Sequence, residues 1–180
     1  MKDYIIQTKR LGLRNWTQHD VLPFANMCAD ERVMKYFPST LSKEQTTMLI
    51  NKMQNHFKEY GYCYFAVDRL DTKDFIGFIG LLNQTYESDF TPCIDIGWRL
   101  ASHAWGNGFA TEGAKACLFY AFNTLKLNEV YAVAPILNKK SQKVMQNIGM
   151  HYHLEFVHPK ITKSDPLSKC VVYRATEVDL

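Results

Sequence analysis

Two glycines near the middle of the chain, Gly106 and Gly108, lie between a predicted strand that ends at Leu100 and a long predicted helix. Glycines at such a junction let backbone N–H groups approach a ligand without side-chain interference. The first turn of a helix adds unpaired N–H donors and a partial positive charge of about 0.5. Because this combination binds phosphate oxygens, the spacing predicts a phosphate-binding turn. The alternative is a plain tight turn, with Gly113 serving helix packing.

Two common nucleotide-binding motifs do not fit this turn. A dinucleotide-binding fingerprint needs a third glycine at the position that Thr111 occupies. A P-loop needs a lysine after the second glycine of its spacing, and Ala114 follows Gly113 instead. Neither motif therefore identifies the phosphate ligand.

Asp95 is the candidate general base. Strand alternation places Asp95, Gly97 and Arg99 on one face of the predicted strand over 93–100. A carboxylate with its ordinary pKa of about 3.9 is a weak base at pH 7, so burial would have to raise that pKa. The alternative is a structural salt bridge between Asp95 and Arg99.

Histidine and cysteine positions give little sign of a metal site. His151 and His153 share a face of a predicted strand, but no third ligand is evident, so exposed polar side chains are the simpler interpretation. The five cysteines are widely scattered and never spaced as CxxC, which favours reduced thiols. Cys117 lies on the apolar side of a predicted helix, where we expect it to fill the core.

Hydrophobic periodicity delimits the elements that must position these residues. In the first strand, Leu11 and Leu13 share one face and the basic residues share the other. Ser42 and Gln45 form a candidate capping box. The predicted strands cover 8–14, 62–67, 75–82, 93–100, 130–135, 152–157 and 170–175, and the predicted helices cover 22–28, 42–61, 110–125 and 138–147.

The order of these elements predicts the fold class. A strand–helix–strand unit over 93–135 favours a parallel strand pair, whereas the flanking hairpins favour antiparallel pairing. Together they predict a mixed α+β sheet with helices packed on it. The length of 180 residues, with no repeat or linker, suits one domain.

Composition and charge exclude several partner classes. The net charge of +3, without a basic run, does not favour nucleic acid. No apolar stretch approaches the roughly 20 residues of a membrane helix. The first ten residues lack the pattern of a secretory signal, so we expect a cytoplasmic protein.

The glycine turn resembles the pyrophosphate-binding motif of the GNAT acyl-CoA N-acetyltransferases, written Q/R-x-x-G-x-G/A. Here the motif reads HAWGNG over 103–108, and the longer run WGNGFATEGAKACLFYAF is similar to the branch of ribosomal-protein N-terminal (alanine or serine) acetyltransferases. Four further segments keep the family's order over nearly the whole chain. They are TKRLGLR over 8–14, FIGFIG over 75–80, DIGW over 95–98, and NKKS over 138–141 with Gly149-Met150 after it.

The resemblance implies a fold and a cofactor. It implies a single N-acetyltransferase domain over 1–180 with the GNAT fold. That fold has a mostly antiparallel sheet of about six to seven strands, a parallel pair at the cofactor cleft, and about four flanking helices. It also implies acetyl-CoA as co-substrate, without a metal.

The resemblance further implies roles for particular residues. The diphosphate would bind backbone N–H groups of the turn, the pantetheine would run along the strand end at 99–101, and a backbone N–H near Leu100 would donate to the oxyanion. Asn138 would hydrogen-bond the pantetheine, and Asp95 is the first candidate base. Ser141 would approach the sulfur as an acid, directly or through water; the alternative is a solvent-facing helix residue. The implied cofactor-binding residues are Arg99, Leu100, Ala101, His103, Gly106, Asn107, Gly108, Phe109, Ala110, Thr111, Asn138 and Ser141.

Three positions depart from the family pattern. His103 replaces the usual Gln or Arg of the motif. Asp95 replaces the usual Glu, which shortens the reach of the carboxylate. Met145 stands near where many members carry a catalytic Tyr.

The implied activity is acetyl transfer to a primary amine by direct attack, first of all to a protein or peptide N-terminal α-amine. One alternative acceptor is a small amine such as an aminoglycoside, polyamine or amino sugar. A second alternative is a non-catalytic CoA-binding module. Both a monomer and a homodimer remain open.

Overall fold

A mixed eight-stranded sheet forms the centre of the molecule in the computed structural model, which describes residues 3–179. The strand order across the sheet is β1-β2-β3-β4-β5-β6-β8-β7. Every neighbouring pair is antiparallel except β5 and β6, which are parallel. The strands are β1 (Ile6–Gln7), β2 (Leu11–Arg14), β3 (Tyr64–Arg69), β4 (Phe75–Gln84), β5 (Cys93–Leu100), β6 (Glu129–Pro135), β7 (His151–Val157) and β8 (Lys169–Thr176).

Five α-helices accompany the sheet. They are α1 (Val21–Ala29), α2 (Glu31–Met34), α3 (Lys43–Tyr60), α4 (Phe109–Asn123) and α5 (Lys139–Asn147). The predicted fold class is confirmed. The additional elements are short ones, two residues in β1 and four in α2, and segments of that length show no periodicity. No helix within residues 3–179 combines the length and apolarity needed to cross a bilayer.

The predicted capping box at the start of α3 is confirmed. The Ser42 side chain accepts a hydrogen bond from the backbone N–H of Gln45, and the Gln45 side chain accepts one from the Ser42 N–H. The helix ends at Gly61, whose φ of 79° is one that glycine adopts without strain.

Helix α4 lies directly on the sheet. A Cβ added at Gly113 would come within 2.4 Å of the Ile79 side chain and 3.3 Å of Leu11, so any larger residue would have to displace the end of the Ile79 side chain. Gly113 therefore serves helix packing, as the tight-turn alternative expected. Cys117 is fully buried on the same helix, which confirms its predicted place in the core.

Strand β2 is buried on both faces, which its sequence did not indicate. Leu11 and Leu13 share one face as predicted, but Arg14 on the other face is only 5% exposed. Its guanidinium hydrogen-bonds both Asp20 and Asp68 at 2.7–2.8 Å. The two carboxylates explain how a cation can lie in the interior.

The parallel pair opens into a cleft. Strands β5 and β6 pair at one position, where Asp95 lies opposite Tyr131. Beyond Ile96 the edge of β5 that faces β6 has no strand partner up to Leu100 within the described residues. Helix α4 begins beyond the end of β5, at the mouth of this opening.

Candidate active site

The turn between β5 and α4 presents a row of free backbone donors. Gly106 and Gly108 both have a φ of 77°, a conformation that side chains disfavour. Within residues 3–179, no acceptor is found for the N–H groups from Gly106 to Thr111. These donors lie at the N-terminus of α4, so the turn fits a phosphate or diphosphate group.

Arg10 holds this turn in place. Its side chain donates to the Asn107 carbonyl at 2.9 Å and to the Glu112 carboxylate at 2.6 Å, and it lies 4.6 Å from the centre of the Phe109 ring. Glu112 also accepts from the Thr8 hydroxyl at 2.6 Å. An unpaired Glu112 in the first helical turn would repel a phosphate, and Arg10 neutralises it. Arg10 and Glu112 are 102 positions apart, so no local sequence signal predicts their pairing.

The cleft has a volume of about 690 Å³, and most of the predicted site residues line it. Ala101, His103 and Asn107 are not among its lining residues. The Ala101 N–H donates to the Ile76 carbonyl at 2.9 Å, and His103 is exposed in a short 3₁₀ turn. The predicted residues that do line the cleft are Asp95, Arg99, Leu100, Gly106, Gly108, Phe109, Ala110, Thr111, Asn138 and Ser141.

Asp95 is buried at the base of the cleft, with an exposed fraction of 8%. Burial raises its pKa from 3.8 to about 6, and hydrogen bonds from Tyr64 and Gln84 partly oppose that rise. The Tyr64 hydroxyl donates at 2.7 Å and the Gln84 amide at 3.1 Å, both to Oδ1. Oδ2 receives no hydrogen bond from any other described residue, so one oxygen can accept a proton from a ligand.

Tyr64 is a site residue that sequence reasoning did not single out. In the sequence it is one of several aromatic residues close together, with Tyr60, Tyr62 and Phe65, and only the fold distinguishes it. A Cβ at Gly97 would lie 3.0 Å from the Tyr64 ring, so the glycine in β5 makes room for the hydrogen bond to Asp95.

The predicted alternative role of Asp95, a salt bridge with Arg99, is not formed among the described residues. Arg99 instead donates to the Cys28 thiol at 3.3 Å and lies 3.9 Å from the centre of the Phe37 ring. Asp95 and Arg99 share one face of β5, as predicted, but they have separate partners.

Ser141 and Asn138 lie together at the start of α5. The Asn138 side-chain oxygen accepts from the Ser141 N–H at 3.1 Å and caps the helix, so only the amide nitrogen of Asn138 can donate to a ligand. The Ser141 hydroxyl accepts from the Trp98 indole at 3.1 Å. Trp98 lies on the face of β5 opposite Asp95, so the strand supplies both sides of the cleft.

The edge of β5 carries one further contact. The Trp105 indole donates to the Leu100 carbonyl at 2.8 Å. Because a carbonyl has two lone pairs, this bond leaves room for a second donor at Leu100.

The two histidines of β7 have different partners. His151 lies 3.2 Å from the Asp179 carboxylate, and the His153 ring lies 5.7 Å from the Tyr131 ring. A register shift between Tyr152 and Leu154 separates them. Residues 3–179 contain no group of three or more His, Cys, Asp or Glu side chains able to hold a metal ion.

Comparison with known proteins places the chain in a family. The model of the acetyltransferase (GNAT) domain matches residues 10–151. Protein YkkB of Bacillus subtilis is 34% identical over 146 residues, which cover 81% of this chain and 84% of YkkB.

Two solved structures share the fold. A GNAT-family acetyltransferase from Bacillus anthracis has 25% identity and a TM-score of 0.80, covering 96% of this chain and 98% of the other. Spermidine N-acetyltransferase from Vibrio cholerae, solved with CoA and spermine, has 18% identity and a TM-score of 0.75, covering 96% and 98%. The chain belongs to the acetyltransferase (GNAT) domain family and is an acetyl-CoA-dependent N-acetyltransferase.

Proposed function

We propose that this enzyme, acting as a single domain, acetylates the N-terminal α-amine of a protein or peptide. The observation that carries the proposal is the buried Asp95, with one free carboxylate oxygen and a pKa of about 6. An α-ammonium group has a pKa of about 8 and a lysine side chain about 10.4. The proton transfer to Asp95 is therefore easier by roughly two pKa units for an α-amine than for a lysine.

The co-substrate fits the geometry of the cleft. The free N–H groups of 106–111 suit the diphosphate of acetyl-CoA. The unpaired edge of β5 near Leu100 suits the amides of the pantetheine arm, which would add to it as a strand does. The free amide nitrogen of Asn138 provides a further donor.

The reaction then follows from the residues of the cleft. The amine nitrogen attacks the thioester carbon and forms a C–N bond, while Asp95 Oδ2 takes the proton that the amine loses. A backbone N–H near Leu100 stabilises the oxyanion. The C–S bond breaks, the Ser141 hydroxyl gives the thiolate its proton, and water returns a proton to Ser141 while Asp95 releases the proton it took to solvent. The hydrogen bond from Trp98 to the Ser141 oxygen makes that hydroxyl a better donor.

The sequence similarity to ribosomal-protein N-terminal acetyltransferases supports the same acceptor class. The fold does not select it, because the spermidine acetyltransferase named above has a similar fold.

An amine panel with acetyl-CoA, followed by release of free thiol, tests the proposal. Peptides with free N-terminal Ala or Ser should react faster than the same peptides with a blocked N-terminus and a free lysine. Faster reaction of aminoglycosides or polyamines would move the acceptor to small amines. Tight CoA binding with no thiol release from any amine would contradict catalysis altogether.

A further inference from the structure

Arg99, at the wall of the cleft, is a cation without an anionic partner among residues 3–179. Its Nη1 donates to the Cys28 thiol at 3.3 Å, and its guanidinium lies 3.9 Å from the Phe37 ring centre and 5.3 Å from that of Phe78. Its Nε is buried and has no hydrogen-bond partner within the described residues. Burial lowers the pKa of Arg99, yet a guanidinium stays charged at neutral pH.

An anion in the cleft would complete this arrangement. Arg99 is only partly exposed and its Nε is fully buried, and charges withdrawn from water in this way are normally paired. A thiol is a weak acceptor, and burial raises the pKa of the Cys28 thiol, which keeps it neutral. The aromatic rings compensate only in part, since a cation–π contact is weaker than an ion pair with a carboxylate or phosphate-like group. The guanidinium of Arg99, whose paired N–H groups can bind a carboxylate or a phosphate-like group, therefore has no such group bound to it among the described residues.

The position of Arg99 relative to Asp95 indicates where that group comes from. Phe78 pairs with Arg99 across β4 and β5, and the Tyr64 ring stacks on Phe78 with centres 4.9 Å apart. Tyr64 in turn donates to Asp95. The stacked rings of Tyr64 and Phe78 thus lie between Asp95, which Tyr64 contacts, and the Arg99 guanidinium, which lies near Phe78. Four residues of strand separate the two Cα atoms by about 13 Å.

The opposite face of β5 belongs to the co-substrate side of the cleft. Trp98 there reaches Ser141 on α5, and Lys140 lies 5.5 Å from the Trp105 ring near the glycine turn. Arg99 points to the other face, towards helix α1 and Phe37. Asp95 is the sole carboxylate lining the cleft among residues 3–179, whereas Arg32, Lys35 and Lys160 also line it. A polycationic acceptor is poorly matched to these charges.

Resting on the proposed function, we propose that the acceptor is an anionic primary amine: its amine lies at Asp95 while a carboxylate or phosphate-like group several bonds away binds the Arg99 guanidinium. The group can belong to an acidic side chain near a peptide N-terminus or to a small amino acid. The chemistry that Arg99 recognises is the same in both.

Amines of equal length and different charge test this inference. We would compare 6-aminohexanoate, hexylamine and 1,6-diaminohexane, together with peptides that begin Ala-Asp and Ala-Asn. The wild-type kcat/KM should be about 30-fold higher for 6-aminohexanoate than for hexylamine, and lowest for the diamine. A preference for Ala-Asp over Ala-Asn would assign the anion to a peptide, and a preference confined to the small amines would assign it to a small molecule.

Variants then assign the preference to Arg99. In Arg99→Gln the advantage of 6-aminohexanoate over hexylamine should disappear, while the KM for acetyl-CoA stays within about twofold. Arg99→Lys keeps the positive charge but loses the paired N–H donors of the guanidinium, so it should retain part of the preference for 6-aminohexanoate over hexylamine. Arg174→Gln, a partly exposed arginine that pairs with Glu129 and does not line the cleft, is the matched control and should behave as wild type.

Three results would overturn the inference. They are transfer that ignores the charge of the amine, a preference for the diamine, and a rise in the KM for acetyl-CoA in Arg99→Gln with unchanged amine selectivity. Calorimetry can measure the affinity of the CoA-saturated enzyme for 6-aminohexanoate without turnover. Equal affinities of wild type and Arg99→Gln would exclude Arg99 as the group that binds the carboxylate. Absence of thiol release with every amine would instead contradict the proposed function.

Discussion

Asp95 can act as a base only while it is ionised, and its pKa of about 6 sets the pH at which that occurs. We expect the wild-type rate to show an inflection near pH 6, in addition to the one near pH 8 from the substrate amine. Asp95→Asn should lose the lower inflection and at least about 100-fold of the rate at pH 7.5. Stopped assays of thiol release across pH would measure both.

The exposed Asp89 provides the control for this experiment. Asp89→Asn removes a carboxylate in the loop before β5, outside the lining of the cleft, and should leave the profile unchanged. Identical profiles for wild type and Asp95→Asn would remove Asp95 from the role of base.

Tyr64 positions and tunes Asp95 rather than contacting the substrate's reacting atoms. Its hydrogen bond at 2.7 Å stabilises the ionised carboxylate, so Tyr64→Phe should raise the pKa of Asp95. A hydrogen bond to a charged group contributes about 1.5–3 kcal/mol, which corresponds to about one to two pH units in the lower inflection. A lower rate with an unmoved inflection would mean that the ring only fills space.

At the scale of elements, the Arg14 network joins β2, β3 and the turn before α1. Arg14 bonds Asp20 and Asp68, and all three side chains are nearly inaccessible to solvent. Arg14→Ala would leave two buried carboxylates without their cation, so we expect a loss of about 3–5 kcal/mol in the free energy of unfolding. Urea unfolding measures the difference, and Arg14→Lys provides a milder variant if the alanine variant does not fold.

Arg69→Ala is the matched control, since Arg69 makes an exposed ion pair with Asp71. It should change the free energy of unfolding by less than about 0.5 kcal/mol. An equally small change in the free energy of unfolding of Arg14→Ala would show that the buried network of Arg14, Asp20 and Asp68 does not stabilise the fold.

The elements themselves could be predicted from the sequence where local signals are strong. The bounds of β5 agree with the alternation over 93–100, and Ser42 with Gln45 marks the start of α3. The parallel pairing of β5 with β6 followed from the strand–helix–strand order. Each of these features depends on residues close together in the chain.

Contacts between distant residues could not be predicted in the same way. Arg10 with Glu112 and Arg14 with Asp68 are pairs whose members carry no local signal of each other. Tyr64 becomes a partner of Asp95 only because β3 and β5 flank β4. The sequence thus indicated the glycine turn and Asp95, whereas the groups that fix and tune them depend on the tertiary fold.

At the scale of the whole molecule, Asp95 lowers stability at the pH where it functions. Its pKa is about 6 in the folded chain and near 3.8 when unfolded, so between these values the folded chain holds a proton that the unfolded chain has lost. The contribution of this group to stability therefore falls as pH rises from about 4 to 6 and stays low above that range. The shift corresponds to at most about 3 kcal/mol.

Asp95→Asn should remove this penalty, because the amide stays neutral and its oxygen can still accept from Tyr64 and Gln84. We expect the variant to be more stable than wild type by about 1–3 kcal/mol at pH 7, with the difference shrinking towards pH 4. Unfolding by urea at several pH values measures it. Equal stability at pH 7 would contradict the assignment of a raised pKa to Asp95.

The proposed acetyl transfer depends on a diphosphate that binds the free backbone N–H groups between β5 and α4. An amide NMR titration of the 20.9 kDa chain with CoA observes these groups themselves. The largest shifts should occur at Gly106 through Thr111, and pantetheine, which lacks the diphosphate, should leave these amides nearly unmoved. Shifts concentrated elsewhere, or the same response to pantetheine, would contradict it.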